Sequence, residues 1–260
     1  MKYIILIVLQ ISMFAATTAG IGYWQILPDE QRGSTVSKES FEKIIENTWR
    51  LYHVESAQKG RVLVVKTKDW NTSYFSAWAN KESDGTFSIN FWGGLARLPY
   101  MTDAAFVLTA CHEIGHIIGG DPMIKNKYLS HMSSEGQSDY FASTECMRKY
   151  DVAYGLDEVD NVDPYITSRC YENFEEASDF ETCLKIAVAG ASLTRNLSLL
   201  NGDEEVHADT PSQNIVENTI FDSYPSVQCR LDTFIAGALN EERPACWFAA
   251  TDAEHIDKAR

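Results

Sequence analysis

The stretch that most constrains this chain is "TACHEIGHIIGGDP", residues 109–122. A helix opening at Thr102 or Asp103 runs through it to about Gly119, where paired glycines with a proline beyond stop it. On such a helix His112 and His116 lie one turn apart on a single face, with Glu113 projecting beside them. Two imidazoles so placed can share one metal ion. A catalytic zinc takes three protein ligands and keeps an open position for water, so another element has to supply the third.

Two patterns could provide it. A histidine six residues after His116 would fall on Pro122, which cannot bind a metal, although Gly119 fits that pattern. A glutamate from a following helix is available instead: Glu135 lies nineteen residues after His116 in "SSEGQSDYFAS", and Asp139 follows it by four. Asp139 is placed to accept the free ring N–H of a ligating histidine, which fixes its tautomer. Zn2+ on His112, His116 and Glu135 would bring the pKa of its water toward roughly 7. Glu113 is then the general base, returning the proton to the leaving amine. The bland alternative is a set of helix-surface charges. Cys111 faces about 100° away from His112 on the helix and belongs to the core or to a disulfide.

The remaining chain reads as alternating helical and strand segments. Ser37 caps "SKESFEKIIENTWRLYHV", where Phe41, Ile44, Ile45, Thr48, Trp49 and Tyr52 recur at helical spacing. Strands are expected at 61–67, 73–80 and 86–94, the last two separated by a turn over Lys81–Gly85. In the third, Phe87, Ile89 and Phe91 share a core face, while Thr86, Ser88 and Asn90 share a face open to solvent or an extended ligand. A second helix opens after "SHMSS". An acidic, tyrosine-rich stretch over 150–185 reads as loop with a short helix. A helix at 184–200, a polar loop through His207 and Pro211, and a last helix near 225–239 complete the chain.

Residues 1–19 have the layout of a secretory signal peptide: one lysine, an apolar run, then small residues. The run falls short of the roughly 20 apolar residues a span needs, so cleavage near Gly20 and a periplasmic or secreted protein are expected, with no stable membrane insertion afterwards. No cysteine precedes Cys111, so no lipid anchor is expected. Six cysteines behind an export signal suggest disulfides, and local spacing favours Cys170 with Cys183 and Cys229 with Cys246. The formal net charge of −15 repels phosphate backbones and anionic lipid and argues against nucleic-acid binding. His53, His131 and His255 lack ligand-like spacing and read as surface residues.

Beyond the zinc motif, five segments resemble the M48 family of zinc metallopeptidases. "SAWAN" (76–80) resembles the family's N-A-F-A segment, and "INFWGGL" (89–95) its strand and glycine-leucine turn. "VLTACHEIGH" is similar to its V-L-A-H-E-L-G-H, "EGQSDYFA" to its E-x-x-A-D, and "YPSVQCRL" (224–231) to its H-P-P-x-x-x-R-I. The resemblance implies zinc ligands at His112, His116 and Glu135, Glu113 as base, Asp139 in support and Arg230 near the site. The family's histidine in the last motif is Tyr224 here. A tyrosine hydroxyl could donate the same hydrogen bond to an oxyanion, or His207 could take over that role. The resemblance also implies that strand 86–91 is the edge along which a substrate adds.

These readings converge on a single α+β domain over residues 20–260. It is zincin-like and mainly helical, with a small antiparallel or mixed sheet beside the active-site helix. The expected activity is endopeptidase hydrolysis of a protein or peptide substrate. The alternatives are a zinc-containing chaperone or binding module without turnover, and an amidase acting on cell-wall peptides.

Overall fold

The computed structural model describes residues 26–27, 30 and 33–252. The expected signal segment, residues 1–19, and His255 lie outside the described residues. The first helix, α1 (Lys38–Gln58), starts where Ser37 and Ser40 form a reciprocal cap, each side chain bonding the other's backbone N–H. Its apolar stripe is buried as its spacing predicts, with Trp49 at the margin donating to the Leu63 carbonyl at 3.0 Å.

Three short strands follow: β1 (Leu63–Asp69), β2 (Ala77–Lys81) and β3 (Phe87–Trp92). They form a mixed sheet in the order β1-β3-β2, with β1 parallel and β2 antiparallel to β3. β3 is therefore the central strand, which corrects the expectation that 86–91 forms an edge: both its sides are already paired. The edge nearest the site is β2. The second face of β3 is not open either. Ser88 and Asn90 are buried, because Ser88 donates to Glu82 at 2.6 Å and Asn90 donates to Ser88 at 3.1 Å and to the Trp78 carbonyl at 3.3 Å.

A one-turn helix, α2 (Gly93–Ala96), leads to α3 (Asp103–Ile118), capped by the Thr102 hydroxyl and ending at Gly119. Every residue of α3 from Ala104 to Ile118 is buried, because α1, α4, α7 and β2 pack around it. Fully buried Arg97, just before α3, donates to the carbonyls of Ile26, Trp70 and Thr72 at 2.6–2.8 Å and so pins the approach to β2.

The second motif helix is composite: α4 (Glu135–Phe141), a wider π-helical turn (Ala142–Cys146) and α5 (Met147–Tyr154). Then come α6 (Pro164–Asn173), capped by Asp163 with Pro164 in its first turn, and α7 (Ala177–Asn201). α7 begins seven residues before the expected 184; "ASDFETC" reads as polar loop in sequence, yet Cys183 is tied to α6 and Phe180 packs on the core. α8 (Val227–Ala238) closes the fold. Three disulfides link Cys111 to Cys146, Cys170 to Cys183 and Cys229 to Cys246, so both locally predicted pairs are present. This usage fits an oxidising compartment. Among the described residues no helix is long and apolar enough to cross a membrane.

Candidate metal centre

α3 and α4 cross closely enough to bring together three side chains that could hold a metal ion. At Gly115 a Cβ would stand 2.8 Å from the Ser138 Cα and 2.9 Å from its carbonyl oxygen, so only glycine permits the crossing. Around that contact His112, His116 and Glu135 converge, all buried. Glu135 Oε2 lies 3.2 Å from His112 Nε2 and 3.5 Å from His116 Nε2. Tetrahedral ligands at zinc–nitrogen and zinc–oxygen distances stand about 3.3–3.4 Å from one another. The spacing therefore suits a metal ion.

The outer partners set the tautomers. His112 Nδ1 donates to Asp139 Oδ1 at 2.7 Å, and His116 Nδ1 donates to the Ser133 carbonyl at 2.9 Å. Both Nε2 atoms are thereby turned toward Glu135, whose Oε2 is buried without a hydrogen-bond partner. Burial alone lowers the His112 pKa, but Asp139 and Glu135 outweigh it and lift it to about 10. The carboxylates thus favour positive charge on this ring, carried by a proton or by a metal ion. Burial likewise works against ionised Glu135, yet His116 and His112 hold it well below the usual carboxylate range.

Asp139 is held in turn by Arg230, whose Nε and Nη2 reach its two oxygens at 2.7 Å each. Arg230 is buried against the rings of Tyr224 and Phe234. Its hydrogen bonds go to Asp139 and not to the three candidate ligands themselves. With both imidazoles neutral and the acids ionised, Glu113, Glu135 and Asp139 against Arg230 leave two negative charges, the complement of a divalent cation.

Glu113 lies beside the cluster. Burial raises its carboxyl above the ordinary glutamate range against the pull of His112 and His116, and its Oε2 is also buried without a partner. These side chains line a space of about 10 Å³ together with Ala77, Ala79, Met132 and Tyr224, the volume of roughly one water molecule. The Tyr224 hydroxyl is within hydrogen-bonding reach of Glu135, and burial followed by the Glu135 charge pushes its pKa well above the usual phenol value. It remains a protonated donor.

Not every predicted residue joins this group. His207 is exposed and lines a separate cavity of about 440 Å³ with Arg195 and Glu205; its backbone is fastened to Gln228. It does not line the cleft: its loop is fastened to Gln228 and Asp232, on the face of α8 opposite Arg230, whereas Tyr224 does line it. His53 stacks on Trp49, and His131 packs edge-on against Phe87 with its Nε2 buried. Sequence reasoning missed the Ser133 carbonyl and Ser138, whose hydroxyl lies 3.0 Å from His116 Nδ1. It also missed the wall formed by β2, for which the "SAWAN" segment was the available signal.

The chain has no match among protein-family models, curated proteins or solved structures.

Proposed function

We propose that this protein is an exported zinc-dependent endopeptidase of the M48 type. The reading rests above all on one observation: a carboxylate oxygen of Glu135 stands at tetrahedral-edge spacing from each of two imidazole nitrogens, with a second buried carboxylate, Glu113, beside them. A His₂Glu donor set is that of catalytic zinc, which when bound acidifies a water and polarises a carbonyl.

The protein groups divide the remaining work. Glu113, buried beside the two imidazoles and lining the same small space, accepts the proton of the attacking water and returns it to the departing amine. Asp139 and the Ser133 carbonyl keep both imidazoles in the tautomer that presents Nε2. Tyr224 donates a hydrogen bond from its hydroxyl to the developing oxyanion. The substrate lies along the free edge of β2. Hydrogen bonds from Trp92 N–H to the Ser76 carbonyl and from Glu82 N–H to the Thr86 carbonyl fix the ladder's alternation. That alternation turns the N–H and C=O groups of Ala77 and Ala79 away from β3, toward an added strand.

The test is metal content together with hydrolysis of casein and unstructured peptides, for the wild type and Glu113→Gln. One zinc per chain is expected, with activity falling roughly a hundred- to ten-thousand-fold in the variant while zinc is retained. A wild type that holds no zinc, or a variant as active as its parent, overturns the reading. Stoichiometric zinc without hydrolysis would instead favour a binding module.

A further inference from the structure

Trp78 belongs to the cleft wall, and two further rings extend it away from the ligands. Trp92 on β3 meets Trp78 edge to face, with ring centres 5.0 Å apart and planes at 71°. Tyr74, in the segment entering β2, packs on Trp92 at 5.6 Å with planes at 43°. Tyr74 is 56% exposed, and the two tryptophans are half-buried. Each ring thus leaves apolar surface open to water on one continuous face that begins at the cleft.

We infer that Tyr74, Trp78 and Trp92 form a specificity subsite that selects a bulky apolar side chain on a peptide lying along β2; this rests on the peptide hydrolysis proposed above. Strand pairing supplies the register. Side chains of an added strand alternate between the two faces of the sheet. On the face of Ala77 and Ala79 the wall offers only methyl groups, so the main chain can approach His112 and Glu113. On the other face the alternating side chain meets Trp78 and the corner it makes with Trp92. Rings set at 71° enclose an angle into which one aromatic or branched aliphatic side chain fits. The occupant is the side chain of a peptide residue, because the added strand that pairs with β2 carries it to this corner.

The experiment scans alanine-based peptides in which each position in turn is Phe, Leu, Ala or Asp. It reads kcat/KM for the zinc-loaded wild type and, separately, binding of fluorescent versions to Glu113→Gln by anisotropy. At one position Phe and Leu are expected to exceed Ala and Asp by about tenfold or more in both readouts. Trp92→Ala and, independently, the exposed Tyr74→Ala should reduce that advantage to about two- to threefold while leaving the all-alanine peptide within about twofold of wild type. Equal use of all four residues, a preference that survives both substitutions, or binding of soluble glycan fragments in place of peptides overturns the subsite. Selective binding to Glu113→Gln without turnover by the wild type would support the subsite and defeat the proposed hydrolysis. Turnover without selectivity does the reverse.

Discussion

The floor of the cleft and its wall are held together by different means. The floor is made of α3, α4 and α8. The Cys111–Cys146 disulfide ties α3 to the turn that continues α4, Cys229–Cys246 anchors α8, and the chain His112–Asp139–Arg230 runs through all three helices. The wall is β2, five residues long, with β3 as its strand partner, no cysteine, and aromatic rings left partly exposed. The candidate ligands are thus held by covalent and charged ties together. The wall has no such covalent or charged tie and is held by its strand pairing with β3 and its packing on α3.

The largest effect should come from cutting the polar tie. Asp139→Ala leaves Arg230 buried without its carboxylate and His112 without an acceptor. We expect a loss of about 3–5 kcal/mol in urea unfolding and about 10- to 100-fold weaker zinc retention in chelator competition. Parental zinc affinity would mean that Asp139 does not orient the ligand.

Next in size is the comparison of two disulfides. Replacing both Cys111 and Cys146 with Ala should cost about 4 kcal/mol, and replacing both Cys170 and Cys183 about 3 kcal/mol. Only the first pair joins helices that carry ligands, so only its loss should also weaken zinc binding. Equal zinc affinity in the two double variants would remove the distinction between floor and periphery.

The smallest effect belongs to the wall. Ala79→Pro deletes a main-chain N–H directed away from β3, so the sheet ladder survives. One lost hydrogen bond to an extended peptide is worth about 1 kcal/mol, or roughly a fivefold drop in kcat/KM, with zinc content unchanged. If zinc is lost as well, wall and floor are one mechanical unit.

The parts legible in the sequence are those fixed by short-range periodicity. The spacing of His112 and His116 placed both on one helical face, and Thr102 and Gly119 mark the ends of α3. Cys170 and Cys183 are thirteen residues apart and Cys229 and Cys246 seventeen, close enough for local proximity to suggest the pairs. Strand order was not legible. The alternation of Phe87, Ile89 and Phe91 is the same in a central strand as at an edge, and only the parallel partner β1, some twenty residues earlier, decides between them. The position of His207 was likewise hidden, since a polar loop carries no periodicity to say which side of α8 it covers. Nor does any sequence signal announce the π-helical turn at Ala142–Cys146.

Gly115 sits at a variable position of the H-E-x-x-H pattern, where any good helix former would satisfy the spelling. In this fold one added methyl would collide with the Ser138 backbone and drive α4 outward, carrying Glu135 with it. The clearance between two helices is thereby set by the smallest side chain in the motif, and the reach of the third ligand is decided by an atom that is not there.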